Sequence, residues 1–319
     1  MVVAVDDHLP FMECLRLFLG SDAPVKIFDN PRVALDWLHE MNNEAKNRGL
    51  PISVGYDEQT LIAERRMVAL DVDQIYKKVM YPDRFNFPAV VIVDYSMPQM
   101  NGVDFCRELA RLPCKKILLT GVADESVATA AFNKGLIDRY LKKCDPDILE
   151  RLKNEIAELT AEYFQDKSRT LNELLEQQTF AFLSDDTFTN LVNALAAQYG
   201  FVERFIFADP AGILFFDAHG KPTLMVVETE SGMASHLEAA QYDDAPAELL
   251  TALQEKRVVP FFWESGGMYT NSSQEWEQYC LPAQLCEGRQ NYYWALFDLP
   301  RKYLPNPIYS YRQFLEDLG

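Results

Sequence analysis

The chain has 319 residues, 48% of them hydrophobic, with a formal charge of −18, enough for two domains with separate cores. No apolar run reaches the roughly 18 residues that cross a bilayer, and the first residues lack the basic stretch expected of a signal peptide. Charge divides unevenly: residues 1–169 carry 22 Lys and Arg against 27 Asp and Glu, residues 170–319 carry 8 against 21, so the back half has too few cations to face nucleic-acid phosphates.

Met1 to Val5 reads as a short buried strand ending in Asp6 and Asp7. Leu9, Met12, Leu15 and Phe18/Leu19 then recur at helical spacing, closed by Gly20. Val25 to Phe28 is a second strand, and Pro31 opens a helix that carries Val33, Leu35, Trp37 and Leu38. An insertion runs from about residue 42 to residue 88. Within it Leu61, Arg65, Val68, Val72, Ile75 and Val79 alternate spacings of four and three, which predicts a helix. That helix either lies back on its own domain or meets a second subunit or partner.

Val90 to Val93 is a continuous β-branched run that stops at Asp94, and Pro98 and Gly102 punctuate the loop beyond it. A helix is expected over Asn101–Leu112, a strand over Lys115–Leu119 ending in Thr120, and a helix over Ser126–Phe132. The strand Arg139–Leu141 follows, ending in Lys142 and Lys143. These four strand ends supply a pair of acids, one acid, a hydroxyl and a cation. In open α/β sheets such ends gather at one edge. Clustered carboxylates repel one another, and a hard cation such as Mg²⁺ relieves that repulsion through oxygen ligands. A phosphoryl group could then pass to Asp94 as an acyl phosphate, with the lysine and the hydroxyl holding its oxygens.

These motifs, an acidic pair, a D-x-x-M-P-x-x-x-G loop, a threonine and a lysine in order, resemble the receiver domain of two-component response regulators. The resemblance implies a flavodoxin-like, doubly wound, five-stranded parallel sheet. It gives Asp6, Asp7, Asp94 and the Ser96 carbonyl as Mg²⁺ ligands, and Asp94 as the phosphoacceptor. Thr120 takes the role of switch hydroxyl, Tyr140 of aromatic switch and Lys143 of phosphate-binding lysine. A histidine kinase or phosphotransfer protein is the implied donor, and autodephosphorylation the only other activity implied for this domain. The chain departs from the family at Cys144, where a proline in a cis bond usually follows the lysine. Either the loop is reshaped or Lys142 takes part.

Asp145-Pro146 caps a helix, and Leu149, Leu152, Ile156, Leu159 and Tyr163 form its apolar stripe. The polar stretch Gln165–Arg169 suggests a junction before a connecting helix, which is either a signal path or a plain spacer. Ser184-Asp185-Asp186 caps a helix over Phe188–Tyr199 ended by Gly200. Strands are expected over Phe201–Ala208, Ile213–Asp217 and Pro222–Thr229, then helices over Met233–Tyr242 and Ala247–Lys256. Strands over Val258–Trp263 and Tyr292–Leu299 and a helix over Ile308–Leu318 complete the reading.

The expected domains are a receiver (1–164), a connecting helix (165–184) and an α+β output domain (185–319) whose antiparallel sheet has a PAS- or GAF-like layout. In the back half Glu228, Thr229, Glu230 and His236 could form a catalytic cluster, although a solvated acidic loop explains them better. Gly266-Gly267 is a weak phosphate cradle. Phe261, Phe262, Trp263, Trp276, Tyr292, Tyr293 and Trp294 line either a pocket or a core. Six cysteines without a CxxC pair, beside four histidines, argue against zinc and for reduced thiols in a cytoplasmic protein. The expected regulator is a homodimer whose output binds a protein or small ligand. The alternatives are an unrecognised enzyme acting on a small nucleotide and a nucleic-acid-binding transcriptional regulator. The extended receiver and unusual output also resemble quorum-sensing response regulators.

Overall fold

The computed structural model describes residues 1–20, 23–47, 52–56, 66–70, 81–121, 125–175, 180–265, 269, 271–300, 303–304 and 308–318. Contacts divide the chain into two units: Met1–Leu50 with Asp83–Arg169 and Phe314–Gly319, and Pro51–Pro82 with Thr170–Gln313. The chain opens with β1 (Val2–Val5), α1 (Leu9–Leu19), β2 (Val25–Phe28) and α2 (Pro31–Asn47), followed by β3 (Ile52–Tyr56) and β4 (Arg66–Leu70). It continues through β5 (Val90–Asp94), α3 (Gly102–Glu108), β6 (Lys115–Thr120), α4 (Glu125–Asn133), β7 (Arg139–Lys142) and α5 (Ile148–Leu175).

Strands of the first unit lie in the order β2-β1-β5-β6-β7, every pair parallel. Successive residues of each strand face opposite sides. Val3, Val5, Val91 and Val93 join Ala34, Leu38, Phe105 and Ala128 on one face, and Val2, Ala4, Val90 and Ile92 join Met12, Leu15, Leu152 and Ile156 on the other. Helices covering both faces explain why these strands are unbroken apolar runs. The chain reverses its winding direction between β1 and β5, so the crevice where ligands collect in such sheets opens beside Asp6 and Asp94.

The described part of the insertion corrects the helical expectation. β3 and β4 pair antiparallel with Val54 opposite Val68, so Val68 belongs to a strand; Leu61, Arg65, Val72, Ile75 and Val79 lie outside the described residues. β-Branched residues at 52, 54 and 68 suit strand pairing, whereas an apolar repeat spread over a whole segment says nothing of where a turn divides it. α5 runs on through the polar stretch Gln165–Arg169 as one helix, because no Gly or Pro is present to stop a helix there.

The chain then runs through α6 (Asp186–Tyr199), β8 (Phe201–Phe207), β9 (Gly212–Asp217), β10 (Pro222–Thr229), α7 (Glu230–Tyr242) and α8 (Ala247–Gln254). β11 (Val258–Pro260), β12 (Cys280–Pro282), β13 (Gln284–Glu287), β14 (Asn291–Asp298) and α9 (Tyr311–Leu318) complete it. The cap at Asp185 is built as its sequence suggests: the side chain accepts the amides of Thr187 at 2.9 Å and Phe188 at 3.4 Å, and Gly200 ends the helix at φ 70°.

The second unit's sheet is antiparallel, β13-β14-β10-β9-β8. Its fifth strand is β13 and not the expected segment at Val258, which pairs with β12 in a separate ribbon. The aromatic run at 292–294 alternates across this sheet, as strand geometry requires. Tyr292 packs with Phe182 and Phe188 on one side, with Trp294 against that same core; Tyr293 joins Phe261 and Phe262 on the other. These aromatic residues therefore fill two opposite cores and do not line one pocket. Gly266-Gly267 lies outside the described residues.

Candidate functional site

Asp6, Asp7, Asp94, Ser96, Thr120 and Lys143 stand at or just beyond the C-terminal ends of parallel strands, Tyr140 is the second residue of β7, and the register β1–β5–β6–β7 brings those ends side by side. Asp6, Asp94 and Thr120 are buried, whereas Asp7 is exposed. One carboxylate oxygen from each of Asp6, Asp7 and Asp94 lies within 4.8 Å of the others. Lys143 Nζ sits 3.0 Å from Asp94 Oδ1 and 2.6 Å from Asp6 Oδ2. The Lys143 amide donates to the Thr120 carbonyl at 3.0 Å, which anchors the lysine to the end of β6.

The backbone holds the two buried acids in place. His8 N–H donates to Asp6 Oδ1 at 2.8 Å and Ser96 N–H to Asp94 Oδ2 at 3.0 Å. Gly102, the first residue of α3, lets that helix approach β5 closely: a Cβ there would stand 2.4 Å from the Asp94 carbonyl oxygen and 2.7 Å from Leu118 Cδ1. The Lys143–Cys144 peptide is trans, and Lys143 reaches both acids with Cys144 following it. Thr120 Oγ1 donates to the Leu141 carbonyl at 3.4 Å, and Thr129 Oγ1 to the Tyr140 hydroxyl at 3.4 Å, both weak by geometry.

Burial raises the Asp6 carboxyl above its ordinary range, outweighing the attraction of Lys143 and the amide of His8. For Lys143 burial opposes the charge, but Asp6 and Asp94 together outweigh it and hold the ammonium's pKa above its usual value. Lys143 Nζ forms a close ion pair with Asp6 Oδ2, the buried carboxylate oxygen that no backbone amide reaches. Three convergent carboxylates, two of them buried, are a hard-oxygen donor set that fits Mg²⁺.

The profile of the response regulator receiver domain matches residues 59–154. The response regulator LqsR of Legionella pneumophila superposes with a TM-score of 0.77 at 30% identity, over 100% of this chain and 94% of that one. The chain belongs to the response regulator family. Other response regulators share only part of their length with it. The cyclic di-GMP phosphodiesterase response regulator RpfG of Xanthomonas campestris is 31% identical over 37% of this chain and 33% of its own. The transcriptional regulatory protein HptR of Staphylococcus aureus is 24% identical over 41% of this chain and 59% of its own. Neither match spans two thirds of the relative.

In this response regulator the back-half residues singled out from sequence are only partly brought together. Glu228 Oε1 meets His236 Nε2 at 3.1 Å, and His236 Nδ1 meets the buried Tyr269 hydroxyl at 2.9 Å. Thr229 caps α7 through the amide of Gly232. Glu230 turns to Lys256, Tyr293 and Asn291. Sequence reasoning missed Tyr269, which lies 33 residues from its partner. It also missed Phe11, whose ring centroid is 5.5 Å from Lys143 Nζ. Phe11 stands four residues before Leu15 and seven before Phe18 and packs against the core on that face of α1, so periodicity marks it as a core residue and gives no signal for a contact with Lys143. Among the described residues no helix is long and apolar enough to cross a membrane.

Proposed function

We propose that the first unit accepts a phosphoryl group on Asp94 from a histidine kinase or phosphotransfer protein, and that the acyl phosphate alters the second unit's binding of a partner. The observation that carries this reading is Lys143 Nζ held between Asp94 and Asp6 at hydrogen-bonding and ion-pair distance. In the transfer, an Asp94 carboxylate oxygen attacks phosphorus, the bond from phosphorus to the donor's imidazole nitrogen breaks, and the imidazole leaves. Lys143 takes up charge on the phosphoryl oxygens, and the Ser96 amide keeps the second carboxylate oxygen oriented. Mg²⁺, held by Asp6, Asp7, Asp94 and the Ser96 carbonyl, would neutralise the charge of carboxylates and phosphate. Thr120 and Tyr140 then leave their weak resting partners and turn toward the phosphate, which changes the α4–β7 face.

For the second unit the reading is a protein- or ligand-binding output, in a homodimeric cytoplasmic regulator of the quorum-sensing type. Both ring nitrogens of His236 are engaged, one by Glu228 and one by Tyr269. That supports binding over acid–base catalysis, which needs a nitrogen facing a substrate. Incubation of the full chain with acetyl phosphate and Mg²⁺, read by intact mass, tests the acceptor role. The wild type gains one phosphate and Asp94→Asn gains none; equal uptake by both would refute it.

A further inference from the structure

Lys143 ends a flexible four-carbon stem, so something besides its two carboxylate partners must limit where the ammonium goes. Phe11 supplies that limit. Its ring lies 5.5 Å from Nζ, inside the roughly 6 Å over which an aromatic face attracts a cation. The ring is itself tied to the site. His8 N–H donates to Asp6 Oδ1 at 2.8 Å, the Phe11 amide donates to the His8 carbonyl at 3.1 Å, and Lys143 Nζ returns to Asp6 Oδ2 at 2.6 Å. The contacts form a closed circuit of Asp6, His8, Phe11 and Lys143, in which both oxygens of Asp6 take part. Phe11 is half-buried and lines the groove between α1 and the start of α5. It also packs against the apolar core beneath α1, so a test of the ring must keep an apolar side chain there.

We propose that Phe11 is a positioning residue for phosphoryl acceptance: its ring face fixes the ammonium of Lys143 beside Asp94 without touching the phosphate. The proposal rests on the acceptor reading of Asp94. Removing the ring while keeping an apolar side chain, Phe11→Leu, should slow phosphate uptake from acetyl phosphate about two- to five-fold, the range of a partly exposed cation–π contact. Phe11→Trp should restore or exceed the wild-type rate. In a Lys143→Ala background Phe11→Leu should have no further effect. A second readout needs neither phosphate nor metal. The Lys143 side-chain methylenes, observed by NMR with labelled lysine, should show an upfield ring-current shift that Phe11→Leu abolishes and Phe11→Trp keeps.

Melting curves of the three proteins separate positioning from folding, since a purely structural role would make uptake follow stability in both variants. Unchanged uptake in Phe11→Leu, or an equal loss with and without Lys143, would overturn the positioning role while leaving Asp94 as acceptor. A wild type that takes up no phosphate overturns the acceptor reading, and the role of Phe11 falls with it.

Discussion

Gly102 offers a probe of the site that changes no titrating group chemically. Replacing it with alanine puts a Cβ 2.4 Å from the carbonyl oxygen of Asp94 and 2.7 Å from Leu118 Cδ1. An ordinary carbon–oxygen contact is about 3.3–3.6 Å, so α3 and the end of β5 must part by about 1 Å. The obstacle is backbone, which cannot swing aside as a side chain can. Overpacking of this kind destabilises by about 1–3 kcal/mol. The same displacement moves Asp94 relative to Lys143, and a shift of about 1 Å at a reacting group can cost on the order of 100-fold in rate. Gly102→Ala should therefore melt a few degrees lower and accept phosphate from acetyl phosphate and Mg²⁺ about 10- to 100-fold more slowly. Full rate with unchanged melting would refute the claim that close packing of α3 on β5 sets the position of the acceptor.

Three further outcomes follow from the second unit and the thiols. The hydrogen bonds of Lys256, Tyr293 and Asn291 depress the Glu230 carboxyl to about 2. A depressed carboxylate stabilises above its unfolded pKa, and that stability fades as pH falls from about 4.5 toward 2; Glu230→Gln should flatten the acid limb of a melting-temperature profile there, and an identical limb would contradict the cluster. Buried Asp185 caps α6 and also accepts the Arg289 amide, so Asp185→Ala should lower stability in urea by about 1–3 kcal/mol while phosphate uptake persists. Cys14 and Cys144 are exposed, whereas burial pushes Cys106 up to about 12, Cys114 to about 11, Cys280 to about 12, and raises Cys286. A thiol reagent at pH 8 should label two cysteines in the native chain and all six only after unfolding.

Much of the first unit was readable because buried parallel strands leave little choice of residue. Val90–Val93 had to be apolar on both faces, so the first polar residue after it, Asp94, marked the strand end. Asp6 and Lys143 followed by the same logic, and strand pairing then carried them into contact. Phe11 was not readable in that way: it reaches Lys143 because the first turn of α1 is anchored through His8 to Asp6, a three-dimensional circumstance. In the insertion, residues suited to either period were assigned to a helix, and Val68 instead pairs with Val54. β13 escaped notice because Cys286 is the one residue of Gln284–Glu287 that is buried, too weak a pattern to mark an edge strand. The aromatic residues at 292–294 were read as one group, although alternation along a strand sends neighbours to opposite cores.

The acyl phosphate itself provides the most direct test. The full chain would be treated with acetyl phosphate and Mg²⁺, reduced with borohydride and digested, and the modified peptide sequenced by mass spectrometry. Reduction of the mixed anhydride should leave homoserine at position 94 and at no other aspartate. Modification at a different residue, or none under conditions that keep the protein folded, would contradict the assignment of Asp94 as the acceptor.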